Sequence, residues 1–384
     1  MRLQDLPAAL LDLSATHRRR QRAVIDSPQG VEGVVDGRSY LSFASNDYLG
    51  LADHPALVRA AQQGLERWGV GGGSSHLLAG HFSVQQEAEE ALAEFVGQEA
   101  ALLFGSGYAA NLAIVSSLLD RGDAVFADRL NHASLNDACR LSRAEFKRFH
   151  HNDLAQLERL LAESDAKTKL IAVESVYSMD GDEAPLAALL ALAERYDAWL
   201  YVDDAHGFGV LGEGRGALVE HGLSSPRLIY MATLGKAAGV AGAFIAGGGE
   251  LIDWLINSAR SYIYTTSQPP ALACAILASL RLIEAADDRR ARLRASIETI
   301  RCGLSGGEYS VGASRTPIQP LIIGSDEQAL ALAGRLRDHG LWVPAIRPPT
   351  VPEGAARLRL SLSAMHEPEH LQRLLSCIRG DAAP

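Results

Sequence analysis

The stretch Trp199-Leu200-Tyr201-Val202-Asp203-Asp204-Ala205-His206-Gly207 decides how this chain is read. Its first four residues are apolar or aromatic without alternation, the pattern of a strand buried on both faces of a sheet. It then ends in two carboxylates and an imidazole. Burying a carboxylate without a partner costs several kcal/mol, roughly, so a cationic group is expected to meet Asp203. Asp204 reads equally well as a capping or salt-bridging acid.

Outward from this stretch the pattern alternates. Strands are expected at 101–104, 124–128, 170–175, 199–204 and 228–233, with helices at 85–96, 108–119, 153–163 and 185–196. Short apolar strands alternating with helices of about 10–15 residues imply an α/β fold with a mostly parallel sheet sandwiched by helices. Ligands of such sheets lie beyond the carboxyl ends of the strands. Attention therefore goes to Gly105–Asn111, Asp128–His132, Ser175–Asp180, Asp203–Gly207 and Thr233–Lys236.

The flanks read differently. Residues 1–22 form an expected amphipathic helix, followed by a hairpin turning on Asp36-Gly37. After about residue 270 come a long charged helix, the strands Pro317–Gly324 and Ala356–Ala364 with a helix between them, and a final helix, which together read as a smaller α+β domain. The expected organisation is an N-terminal segment over 1–45, a large domain over 46–284 and a small C-terminal domain over 285–384.

Composition narrows the function. A chain of 384 residues with 47% hydrophobic content suits two cores. A formal charge of -10 argues against a nucleic-acid or anionic-membrane surface. Arg18, Arg19 and Arg20 are the only short basic run and read as the solvated end of the first helix. Cys139, Cys274, Cys302 and Cys377 contain no CxxC pair, which fits neither a disulfide framework nor a zinc site, so no metal is expected. Asp5 and Asp12 interrupt the N-terminal apolar pattern as no secretory or transit peptide would. With no charge-free apolar run of the ~18 residues a membrane span needs, a soluble cytoplasmic protein is expected.

Three loops could carry chemistry. Phe104-Gly105-Ser106-Gly107-Tyr108-Ala109-Ala110-Asn111 joins a strand to a helix and aims backbone N–H groups at an anion. Followed by a strand ending at Asp128, it is also an acceptable dinucleotide fingerprint. Lys236 stands among small residues in Thr233-Leu234-Gly235-Lys236-Ala237-Ala238-Gly239, where a bulky group could approach its amine. His132 ends the segment after Asp128. A phosphate needs a helix N-terminus, a pyridine nitrogen an acid and an aldehyde a lysine, and the combination is present at one sheet edge.

At Asn46-Asp47-Tyr48-Leu49-Gly50, Ser106–Asn111, Asp128–Ser134, Ser178-Met179-Asp180-Gly181-Asp182, Asp203–Gly207 and Lys236, the chain resembles the α-oxoamine synthase family of fold-type I pyridoxal-5′-phosphate (PLP) enzymes. The match follows the family's order over nearly the whole length. The resemblance implies that Lys236 bonds the cofactor, that Asp203 pairs with its ring nitrogen, and that His206 and Ser178 contact its phenolic oxygen. His132 is implied to stack on the ring and serve in proton transfer. Gly107, Tyr108 and Thr233 are implied to hold the phosphate, with Thr265 or Thr266 reaching in from the second subunit of a homodimer. Arg359, assisted by Asn46, is implied to bind the amino-acid carboxylate, and Arg20 and Thr350 the acyl substrate.

Within the family, Ala345–Pro352 followed by Arg357-Leu358-Arg359-Leu360 is most similar to the biotin-pathway branch. That branch joins L-alanine to pimeloyl-CoA or to the acyl-carrier-protein thioester. Branches that take glycine or serine are the nearest alternatives, and a nicotinamide-dependent oxidoreductase is the alternative of another class. The chain departs from the family at Gln85, where a histidine is common, and at Ala237-Ala238, where a bulkier aromatic often follows the lysine.

Overall fold

The computed structural model describes residues 2–380. Of its two compact units, the larger comprises Leu49–Ser178 and Glu183–Arg290 and is built on a seven-stranded sheet. The strand order is Ala100–Phe104, Ala243–Gly247, Leu228–Thr233, Ala198–Asp203, Lys169–Glu174, Ala124–Asp128, Glu145–Phe149. Only Ala243–Gly247 runs against its neighbours; the other strands share one direction. Their carboxyl ends consequently line one edge. In register, Glu174 lies opposite Asp203, which lies opposite Met231.

The apolar runs form strands because both faces are covered: every residue of Ala124–Asp128 is buried, as are Leu228–Ala232. Helix Gly107–Leu118 packs on Leu228–Thr233 and Ala243–Gly247, and helix Leu186–Arg195 on Ala198–Asp203. Ile114, Val115, Val125, Leu170, Tyr201, Ile229 and Ile245 meet in the resulting core. Each large aliphatic side chain so buried contributes about 1.5–3 kcal/mol. The expected strands at 101–104, 124–128, 170–175, 199–204 and 228–233 all form, displaced by at most one residue at either end. Two further strands had not been expected. Glu145–Phe149 is a charged edge strand, and Ala243–Gly247 is a short antiparallel insertion that ends in glycine.

The second unit comprises the chain up to Tyr48, Met179–Asp182 and the chain from Ala291. It contains a sheet of Glu32–Val35, Arg38–Ser42 and Leu341–Trp342, and another of Ser310–Val311, Ile318–Gly324, Ala356–Ser361 and Ala345–Ile346. The hairpin turns on Asp36 and Gly37, both left-handed at φ 48° and 73°, as a tight two-residue turn demands.

The N-terminal helix is shorter than expected, spanning Leu6–Ala15 rather than 1–22. Its end is set by the backbone N–H groups of Arg18 and Arg19, which both donate to Leu13 O, and by a left-handed His17 at φ 56°. The three arginines therefore follow the helix instead of extending it. Arg18 pairs with Glu353 at 2.8 Å and Arg20 Nη2 donates to Thr350 Oγ1 at 2.9 Å.

Candidate active site

The chain has four lysines, Lys147, Lys167, Lys169 and Lys236. Lys167 and Lys169 stand at the amino end of their strand and Lys147 pairs with Glu145 at 3.2 Å, so only Lys236 follows a strand's carboxyl end. Its turn is closed by Leu234 N donating to Gly242 O and Val240 N to Leu234 O. The half-buried Lys236 brings Nζ to 2.8 Å from Nε2 of the buried His206. Its neighbours Ala237 and Ala238 are small and buried.

Asp203 is 4% exposed. Its Oδ2 accepts from Asn111 Nδ2 at 3.0 Å and its Oδ1 from Ala205 N at 3.1 Å. Burial pushes this carboxyl above the ordinary range, while the Asn111 bond, Lys236, Ala205 N–H and His132 pull it back. Opposite it, the equally buried Glu174 is pushed up to about 8 by burial and by the Asp203 charge. Two neighbouring buried acids divide in this way, one charged and one protonated. The more numerous donors surround Asp203, which favours the charge there and the proton on Glu174. Glu174 Oε1 also accepts the backbone N–H of His132.

Asp204 faces a different set. Its carboxylate accepts from the Ser175 hydroxyl, from Tyr230 OH at 2.7 Å and from Ala217 N at 2.9 Å, and burial pushes it up to about 6. Glycines make way for it. A Cβ on Gly207 would stand 2.1 Å from Asp204 Oδ1, and one on Gly216, left-handed at φ 98°, 2.4 Å from Oδ2. Asp204 therefore serves as the structural acid of the pair.

His132 caps helix Ala133–Leu141, with Nδ1 2.7 Å from Ser134 Oγ, and burial pulls its imidazole below the ordinary value. The anion loop opens helix Gly107–Leu118, capped by Ser106 Oγ accepting from Ala109 N. A Cβ built on Gly105 would meet nothing within 4 Å and one on Gly107 only Met231 Cε at 3.9 Å, so space lies open beside the helix's free N–H groups. The Tyr108 hydroxyl donates to Asp137 at 2.9 Å. Thr233 Oγ1 donates to Gly242 O at 3.1 Å and accepts from Gly235 N. Ser178 lies half-buried in a turn, and Thr265 and Thr266 stand exposed on this chain. A lysine, a buried acid and an open helix start on one sheet edge fit the cofactor implied by the resemblance.

Asp128, the acid a dinucleotide reading would need for a ribose, is fully buried. It accepts from His151 Nδ1 at 3.1 Å, Leu130 N at 2.8 Å and Asn152 N at 2.9 Å. Despite burial, these donors hold it below the usual carboxylate range. It is a structural anion, and the oxidoreductase alternative loses its key residue.

In the second unit, Arg359 is 6% exposed and donates through Nη1 to Asn46 Oδ1 at 3.1 Å and to Ser361 Oγ at 2.8 Å. Tyr48 OH also donates to Asn46 Oδ1, at 3.2 Å. Arg20 and Thr350 line a cavity of about 390 Å³ with Arg18, Arg19 and Arg347, a cationic setting suited to an anionic group. No group of three or more His, Cys, Asp or Glu among the described residues is arranged to hold a metal.

Four participants carry roles that the sequence did not assign: Asn111, Ser134, Glu174 and Tyr201. The signal for Glu174 was available, as a lone charge ending an apolar strand. Asn111 donates to Asp203 and to Ser134 Oγ and accepts from Tyr201 OH, contacts made across 92, 23 and 90 positions of chain that no local pattern marks.

Residues 38–378 match the model of the family described as aminotransferase class I and II. A curated 8-amino-7-oxononanoate synthase of Chromobacterium violaceum is 70% identical over 375 residues, covering 98% of each chain. One of Herminiimonas arsenicoxydans is 56% identical, covering 98% of this chain and 99% of that one. Among solved structures, the serine palmitoyltransferase of Sphingomonas wittichii superposes with a TM-score of 0.93 at 34% identity, covering 98% and 96%. The 8-amino-7-oxononanoate synthase of Francisella tularensis gives 0.78 at 32%, covering 89% and 97%. The two likenesses rank the branches differently. A shared fold does not fix a substrate, so the 70% identity carries more weight for the reaction.

Proposed function

The chain belongs to the aminotransferase class I and II family and is a PLP-dependent acyltransferase that makes 8-amino-7-oxononanoate, a step of biotin biosynthesis; we propose the residues through which it does so. L-alanine condenses with a pimeloyl thioester, CO2 is lost from the alanine carboxyl and the thiol leaves. The observation that carries the assignment is the amine of Lys236 beside His206, on the same edge as the buried Asp203.

When bound, PLP supplies an electron sink for the negative charge that forms at the alanine Cα. Lys236 would hold the cofactor covalently, and its amine is the base placed to take the Cα proton. Asp203 would keep a proton on the ring nitrogen, a task that needs its carboxylate charged. His206 and Ser178 would contact the phenolic oxygen, while the N–H groups of Gly107 and Tyr108 and, once turned from Gly242 O, the Thr233 hydroxyl would hold the phosphate. His132 would border the cofactor and steady the reacting carbonyl oxygen. Arg359, oriented by Asn46, receives the alanine carboxylate as a bidentate donor. Arg20 and Thr350 receive the acyl donor, whose carrier is CoA or acyl carrier protein.

The enzyme works as a homodimer in the cytoplasm, with Thr265 or Thr266 completing the partner's phosphate site; their exposure on a single chain supports this reading. No helix among the described residues is long and apolar enough to cross a membrane. Incubation of the PLP-loaded protein with pimeloyl-CoA and either L-alanine or glycine, read by mass spectrometry, tests the branch. The nine-carbon amino-oxo acid should form with alanine. A product formed only with glycine would overturn the choice.

A further inference from the structure

His132 makes two contacts through one ring nitrogen. Nδ1 accepts the backbone N–H of Ser134 at 3.3 Å and lies 2.7 Å from Ser134 Oγ. A backbone N–H can only donate, so Nδ1 carries a lone pair. The hydroxyl agrees: Ser134 Oγ accepts from Asn111 Nδ2 at 2.9 Å, which leaves its own proton for the ring. Asn111 cannot turn over, because its Nδ2 also donates to Asp203 Oδ2 at 3.0 Å and its Oδ1 accepts from Tyr201 OH at 2.6 Å. With its oxygen held by the Tyr201 hydroxyl, Asn111 donates through Nδ2 in two directions, to the Asp203 carboxylate on one side and to Ser134, and so on to His132, on the other.

We propose that Ser134 is a positioning residue that holds His132 in the Nε2–H tautomer, so that the ring meets the reacting carbonyl oxygen as a hydrogen-bond donor and not as a base. This rests on the placement of His132 at that oxygen under the proposed function. Burial keeps the ring neutral, as does the Lys236 charge, against the pull of Asp203 and Asp137. A neutral imidazole has one donor and one acceptor, and with Nδ1 occupied as acceptor the proton stays on Nε2. The Glu174 carboxyl fixes the same residue by its backbone N–H, so ring and main chain are both held. Removal of the Cα proton falls to Lys236 alone.

Solid-state 15N spectra of microcrystalline enzyme labelled at histidine, with and without PLP, test the tautomer directly. The His132 signals are identified by their loss in His132→Asn. Wild type should show an unprotonated Nδ1 and a protonated Nε2 in both states. In Ser134→Ala the Nδ1–H form should gain population, and kcat should fall about tenfold, the scale of one lost hydrogen bond, with KM for alanine within about twofold. Ser134→Thr, which keeps the hydroxyl, should restore both. A protonated Nδ1 in wild type would overturn the proposal, as would a Ser134→Ala enzyme unchanged in tautomer and kcat. Full turnover by His132→Asn would instead remove His132 from the reaction while leaving the tautomer measurement standing.

Discussion

Asp203 and Asp204 are adjacent, fully desolvated and at the end of one strand, yet their surroundings divide them. Asp204 is enclosed by Ser175, Tyr230 and Ala217 N–H and crowded by Gly207 and Gly216, a closed set with no room for a further group. Asp203 has one side-chain donor, Asn111, and one backbone donor, Ala205, and it shares its edge with the only lysine placed there. Burial of an acid is therefore a poor guide to function. What separates a structural carboxylate from a working one is whether its donors exhaust it.

The largest expected effect lies at the amine. Lys236→Ala should leave the fold intact and reduce turnover more than a thousandfold, roughly, since covalent catalysis needs that group. Activity within tenfold of wild type would break the comparison at its working end. Asp203→Asn should weaken cofactor binding and lower kcat about 10²-fold or more, because an amide cannot hold a ring nitrogen protonated; absorbance titration with PLP and steady-state rates read both.

The neighbour should respond oppositely. Asp204→Asn should cost about 2–3 kcal/mol of stability by spoiling charge-assisted hydrogen bonds, visible in denaturant melts, while PLP affinity of the folded protein stays within a few-fold. A cofactor defect as large as that of Asp203→Asn would erase the distinction.

The sequence exposed one half of this contrast. Strands at 124–128 and 199–204 were legible because continuous apolar runs bounded by Asp and Gly have few other readings, and Lys236 was legible because it follows such a run. Glu145–Phe149 was not, since Glu-Phe-Lys-Arg-Phe mixes charged and apolar residues without the continuous apolar run of the central strands. The end of the first helix escaped for a related reason: the arginines are good helix formers, nothing in their own stretch marks the left-handed turn at His17, and the partners Glu353 and Thr350 lie more than 300 positions away. The division between Asp203 and Asp204 depended on Tyr230 and Asn111, whose roles arise only once the sheet has formed.

The smallest effect is a matter of pH. The folded-state value of Asp204, about 6, lies above the ~3.9 of an unfolded chain. The folded protein therefore binds more protons between these values, and the stability Asp204 contributes is full below about 4 and is lost as pH rises through about 6. Tyr230→Phe removes one stabilising donor and raises that value further. The variant should be destabilised by about 1–2 kcal/mol at pH 7 and by less at pH 4. Equal loss at both would mean that the phenol packs against Asp204 without serving its charge.

Of the four lysines of the chain, one amine is placed to bear the cofactor. Borohydride reduction of the PLP-loaded enzyme, proteolysis and mass spectrometry locate that bond. The pyridoxyl group should be found on the peptide containing Lys236; its recovery on Lys147, Lys167 or Lys169, or on no peptide, would contradict the assignment.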